Sequence, residues 1–277
     1  MNKESITSRL RNKAKELNLN YNAILSQFFF DEFLKLLSFS RHKDHFTLKG
    51  GILLTYALGI QNRATHDIDF LVKDIKLNDK DIKIVLENIV KDEEKTGVWF
   101  EIIGEGQKIR AEDKYGGLRF RLVGHLYNIR VPFAVDIATG DPIYPTPIRD
   151  KYTTILGDNI ELNLYPLETV IAEKFQTILS RAENNSRSKD FYDIYFILKN
   201  KSEQLDNEAL KIAVSLTFKY RNTHITKEDA YIILQHISDN VAIKDRWVRY
   251  QKKNPYAKGV KFDLVVNSIK YLIEKVL

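Results

Sequence analysis

The chain has 277 residues, 44% of them hydrophobic and 29% charged, with 43 Lys+Arg against 37 Asp+Glu and a net charge of +6. It has no cysteine, which excludes a disulfide framework, a thiolate zinc site, an iron–sulfur cluster and a cysteine nucleophile. The apolar fraction is too high for a disordered chain, and the length suits two domains or one large one.

The elements follow in chain order from hydrophobic periodicity. Residues 4–16 and 21–39 read as helices, the second so apolar (AILSQFFFDEFLKLL) that burial is expected. The N-terminal residues 1–17, MNKESITSRLRNKAKEL, lack the apolar core of a signal peptide. No run of about 18 apolar residues occurs either, so a soluble, cytoplasmic protein with no membrane partner is expected. A short helix at 51–58 precedes an apolar strand at Asp67–Val72, a helix at 79–91, and strands near 98–103, 118–123 and 129–137. Beyond residue 165 the pattern turns helical: 167–182, 189–199, 207–219, 227–237 and 262–276. The order predicts an α/β (α+β) fold, a mixed sheet with flanking helices followed by an α-helical domain. The division is placed after the Pro-rich stretch 141–147, giving domains 1–150 and 151–277 with net charges of +2 and +4.

Chemistry concentrates in two segments, Leu48-Lys49-Gly50-Gly51 and Arg63-Ala64-Thr65-His66-Asp67-Ile68-Asp69. Glycines that open a helix let backbone N–H groups approach a phosphate closely. Asp67 and Asp69 alternate with Ile68 and Phe70, so both carboxylates project from one face of the strand while the hydrophobes enter the core. Paired carboxylates repel unless a cation lies between them, and a magnesium-type ion prefers such oxygen ligands. An Asp-x-Asp alone is weak evidence. Asp79-Lys80-Asp81 has the same spacing, yet it sits at a polar helix start where acids favour the helix dipole. Asp136, near the end of the apolar strand Val131–Ile137, is a third acid that needs a partner, and the same metal would serve. Asp141, between Gly140 and Pro142, reads as a turn residue.

These residues resemble the nucleotidyltransferase toxins of the AbiEii/AbiGii type, a branch of the DNA polymerase β-like nucleotidyltransferase superfamily. The resemblance is carried by Leu48–Gly51, Arg63-x-Thr65-x-Asp67-Ile68-Asp69 and Val135-Asp136-Ile137-x-x-Gly140-Asp141. Leu167-Glu168-Thr169-Val170-Ile171-Ala172-Glu173-Lys174 and Lys189-Asp190-Phe191-Tyr192-Asp193-Ile194-Tyr195 extend it over about residues 20–200. Gly51 stands where the wider superfamily often has Ser, which leaves phosphate contact to backbone N–H groups.

The resemblance implies metal-dependent transfer of a nucleoside monophosphate from an NTP. Asp67, Asp69 and Asp136 would hold Mg2+ or Mn2+, and Gly50, Gly51, Arg63 and Thr65 would lie at the nucleotide. It also implies that Lys174 and Asp190, in a cleft between the domains, are needed for activity, with Lys174 holding the triphosphate and Asp193 capping or bracing the site. The implied acceptor is RNA, with the 3′ end of a tRNA a candidate, and the implied role is a bacterial toxin with a cognate antitoxin partner. Residues 244–261 (KDRWVRYQKKNPYAKGVK) hold seven basic residues and one acid. There Arg246, Arg249, Lys252 and Lys253 could contact phosphates while Trp247 stacks on bases; the bland alternative is a solvated loop with its aromatics in the core. Two rival functions share the metal site: an NTP-dependent phosphotransferase acting on a protein or small molecule, and an inactive binding module. No P-loop, Rossmann glycine fingerprint or G-x-S-x-G elbow occurs.

Overall fold

The computed structural model of the chain describes residues 3–91, 97–109 and 116–277. It opens with helices α1 (Lys3–Glu16) and α2 (Tyr21–Phe39), then strand β1 (Phe46–Lys49) running directly into α3 (Gly50–Leu58). β2 (Asp67–Val72), α4 (Asp79–Val90), β3 (Val98–Ile109), β4 (Gly117–Leu126), β5 (Ile129–Ala138), β6 (Ile148–Thr153) and β7 (Asn159–Leu164) follow. The rest is helical: α5 (Leu167–Arg181), α6 (Ser188–Lys201), α7 (Asn207–Tyr220), α8 (Lys227–Asp239), α9 (Val241–Lys253) and α10 (Phe262–Val276). Among the described residues no helix is long and apolar enough to cross a membrane.

All seven strands form one mixed sheet in the order β3-β4-β5-β2-β1-β7-β6. β2 pairs with β5 and β1 with β7 in parallel, and the remaining pairs are antiparallel. The sheet's core is aromatic. Phe33 of α2 lies 5.9 Å from Phe100, 6.3 Å from Phe133 and 6.4 Å from Phe70, centroid to centroid, largely edge to face, the arrangement that ring quadrupoles favour. α2 thus buries nearly its whole circumference, as its very apolar sequence predicted.

The chain divides into two compact units, residues 1–141 with 148–164, and residues 142–147 with 165–277. The expected boundary at 150 therefore falls inside β6. The elements β1, β6, β7 and α9 lie outside the sequence prediction. β1 is only four residues long. In β6 only Tyr152 is buried, so its sequence shows no alternation to read. Strand β3 outruns its predicted end by six residues, its outer half largely exposed and interrupted by a register shift between Ile103 and Gln107.

Candidate active site

The sheet register lines up four charges. Lys49 of β1 opposes Asp69 of β2, Asp69 opposes Asp136 of β5, and Asp136 opposes Arg119 of β4. Directly opposed residues share a sheet face, so the row runs cation, acid, acid, cation across four strands. Asp67, two residues before Asp69, joins the same face. Carboxylate oxygens of Asp67, Asp69 and Asp136 all lie within 4.8 Å of one another, so the three predicted acids do converge.

The flanking cations were not anticipated. Arg119 grips Asp136 with two charge-assisted bonds, Nε to Oδ1 at 2.7 Å and Nη2 to Oδ2 at 2.6 Å, and its Nη2 lies 3.8 Å from Asp67. Its guanidinium is held above its ordinary pKa, first by the hydrogen bond to Asp136 and then by the surrounding carboxylates. Lys49 is buried and pairs with Asp141 at 2.9 Å, so Asp141 is half of an ion pair rather than a turn residue. The partner expected of Asp136 was a metal; the partner seen is Arg119. Nothing local marks Arg119 in the sequence, because only the β4–β5 pairing brings it to Asp136. Lys49 lies inside the Lys-Gly-Gly segment and could have been singled out there.

Gly50 and Gly51 open α3 as predicted, and close approach demands both. Gly50 has φ +67°, and a Cβ there would lie 2.0 Å from Asp69 Oδ2. A Cβ on Gly51 would lie 2.3 Å from Thr65 Oγ1. In return the Gly51 N–H donates to Asp69 Oδ2 at 3.3 Å, and Thr65 Oγ1 donates to Asp67 Oδ1 at 2.8 Å. The turn thereby orients both acids of β2. Thr55 ties the same loop to the helix, its Oγ1 lying 3.0 Å from the Gly51 carbonyl and 2.7 Å from that of Arg63. Arg63, expected at the nucleotide, is buried and donates from Nη1 to the carbonyl of Ala64. Its visible role is to shape the loop. The comparison pair Asp79 and Asp81 is structural: Asn78 caps α4, its side chain accepting from the Asp81 N–H at 2.9 Å.

In the helical unit Lys174 of α5 meets two acids of α6, Asp190 at 2.8 Å and Asp193 at 2.7 Å. Asp193 is fully buried and Asp190 nearly so. Arg187 approaches Asp190 from outside at 3.4 Å. Two cations balance two carboxylates, as buried charge requires. Lys174 therefore has carboxylate partners here, and Asp193 shares the cluster on equal terms with Asp190. Glu168, at the head of α5, is buried and accepts from the Asp206 N–H at 3.0 Å, next to the start of α7.

The first ten residues of the basic stretch 244–261 are helical, and the remainder is a short turn and irregular chain. Residues 241–253 form α9. Trp247 corrects the stacking expectation: it is 2% exposed, and its Nε1 donates to the Val260 carbonyl at 3.0 Å. Tyr250 and Tyr256 pack on Tyr192 at 6.1 and 5.1 Å. With its aromatic side turned inward, the helix leaves Arg249, Lys252 and Lys253 exposed and Arg246 half-buried.

No curated protein matches the chain. Two Helicobacter pylori structures share its fold. One is provisionally described as a nucleotidyltransferase, with TM-score 0.53 and 13% identity over 93% of this chain and 96% of that one. The other, JHP933, has TM-score 0.55 and 13% identity over 93% of each chain. The family model for the nucleotidyl transferase AbiEii toxin of type IV toxin–antitoxin systems matches residues 32–267. That span contains the acidic row, the glycine turn and the Lys174 cluster, and the chain belongs to the AbiEii nucleotidyltransferase toxin family.

Proposed function

We propose that the protein transfers a nucleoside monophosphate from an NTP to an RNA acceptor with the help of a divalent cation, and that a cognate antitoxin protein restrains it. The observation that carries this reading is the convergence of Asp67, Asp69 and Asp136 within 4.8 Å. An all-oxygen donor set of this kind suits Mg2+ or Mn2+. A bound ion would offset charge on the attacked phosphorus and on the leaving pyrophosphate.

The chain's own groups have definable tasks. The acceptor hydroxyl attacks the α-phosphorus; the bond to the bridging oxygen of the β-phosphate breaks and pyrophosphate leaves. Asp67 and Asp69, oriented by Thr65 and the Gly51 N–H, would hold the ion. Asp136, kept in place by Arg119, would be the third ligand. The Gly50-Gly51 turn admits a phosphate close to the backbone because no side chain stands there. Lys174 is assigned to the triphosphate, with Asp190 and Asp193 holding its ammonium ready.

The deciding experiment incubates the protein with total RNA, magnesium and each NTP labelled at either the α or the γ position. Label from the α-phosphate should enter RNA, and Asp67→Ala and Asp69→Ala should abolish it. Label arriving from the γ-phosphate alone would make the protein a phosphotransferase instead.

A further inference from the structure

In the helical unit a cavity of about 380 Å³ opens between the start of α6 and one face of α9. Its walls carry five cations, Arg187 and Lys189 from the first element and Arg246, Arg249 and Lys253 from the second, with Ser188 between them. The three α9 residues follow the i, i+3, i+7 spacing of a single helix face. Among the described residues no carboxylate pairs with Lys189, Arg249 or Lys253. The Nε of Arg246 is buried with no hydrogen-bond partner, although its Nη2 donates to the Glu183 carbonyl. No side chain caps α6, so its first N–H groups add their dipole to the same space. Three cations without a carboxylate partner around one cavity make a place suited to an anion.

We propose that this cavity binds backbone phosphate of the polynucleotide acceptor. The inference rests on the RNA-acceptor reading given above. Arg246 to Lys253 spans about 10 Å of helix axis, and a line of cations of that length fits a running phosphodiester chain better than one compact head group. Arg187 links the cavity to the reaction machinery: it lines the cavity and also lies 3.4 Å from Asp190, the partner of Lys174. A phosphate seated here would place the strand next to that cluster.

The test compares wild type with the double variant Arg249→Gln/Lys253→Gln and with a charge-matched control, Lys258→Gln/Lys270→Gln, whose residues are exposed outside the cavity. Binding of a labelled single-stranded RNA and of a fluorescent ATP analogue is followed by anisotropy across a salt series. The cavity pair should weaken RNA binding about tenfold and flatten the slope of log K against log salt by about 1.4, two single-strand phosphate contacts' worth, while the control stays within about twofold. Equal losses in both variants would reduce the effect to diffuse charge and overturn the proposal. Loss of ATP-analogue binding with RNA binding intact would overturn it in favour of a triphosphate site, and absence of RNA binding by wild type would end it. Transfer assays separate the two readings. If the cavity pair loses RNA binding but wild type labels no RNA, the cavity stands and the acceptor reading falls. If wild type labels RNA and the cavity pair does so at unchanged KM for RNA, the acceptor reading stands and the cavity falls.

Discussion

Arg119 supplies positive charge to the three acids before any ion arrives. Replacing it with Met should leave three close carboxylates to repel one another. We expect a loss of about 1 kcal/mol in chelator, modest because the guanidinium is partly exposed. Added Mg2+ should then raise the melting temperature of Arg119→Met by more than it raises that of wild type. Equal shifts would show that Arg119 does not stand in for the ion. Gly50→Ala should disturb Asp69 and abolish transfer at a stability cost of about 1–2 kcal/mol. Gly157→Ala provides the contrast: its φ is also positive, +93°, yet open space surrounds the missing Cβ. It should cost backbone strain alone and leave transfer rates intact. Asp31 adds a pH signature. Burial pushes its carboxyl up to about 7, with bonds from the Ile155 N–H, Tyr152 and Gln27 opposing the rise. A folded pKa above the unfolded one means the native state holds the extra proton. Stability should therefore fall as pH rises from about 4 to 7, by at most about 1.4 kcal/mol per pH unit, and level off above. Urea titrations should show that slope in wild type and lose it in Asp31→Asn. Asp67, Asp69 and Asp136 were legible because a strand's two-residue period and apolar setting are local facts. Arg119 was not, because β4–β5 register is a property of pairing between strands, invisible in either one.

Between α5 and α6, helix spacing does the positioning. Asp190 and Asp193 are three residues apart and so face Lys174 together. Lys174→Met would remove the cation shared by two buried carboxylates and leave Arg187 as the cation beside Asp190, costing about 3–5 kcal/mol. Adding Asp193→Asn should recover part of that loss in denaturant titrations. An inactive Lys174 variant thus says little about nucleotide contact until its folding has been measured beside it. Helices such as α5, α7 and α10 were readable from their 3.6-residue period, since each buries one stripe. α9 was not, because only Ile243 and Trp247 are buried along it, and a helix so polar shows charge rather than periodicity. β7 has a clean alternation in burial, yet its polar half (Asn159, Glu161, Asn163) dilutes the apolar signal below that of the central strands.

At the scale of the molecule, β6 and β7 decide where the first unit ends. Lys35 pairs with Asp158, Asp31 accepts from Tyr152, and β7 lies along β1. A fragment 1–150 would lack all three ties. We expect it to be insoluble or molten, whereas 1–164 should give a cooperative unfolding transition; a cooperative 1–150 fragment would contradict this. The composition-level split into a near-neutral front and a more basic rear is coarse. It does not show that three of the rear cations, Arg246, Arg249 and Lys253, share one helix face. The position of β7 also carries a message about timing. A ribosome has released all three acids of the row once residue 136 is clear, but strand β1, which carries Lys49 and leads into the glycine turn, has only β2 beside it and lacks its second neighbour β7 until residue 164 emerges. Because domains fold as units during synthesis, the nascent toxin would acquire an ordered acidic row only after that last strand arrives, and Lys174 follows within ten residues. The cell would meet the assembled chemistry late in translation rather than by degrees.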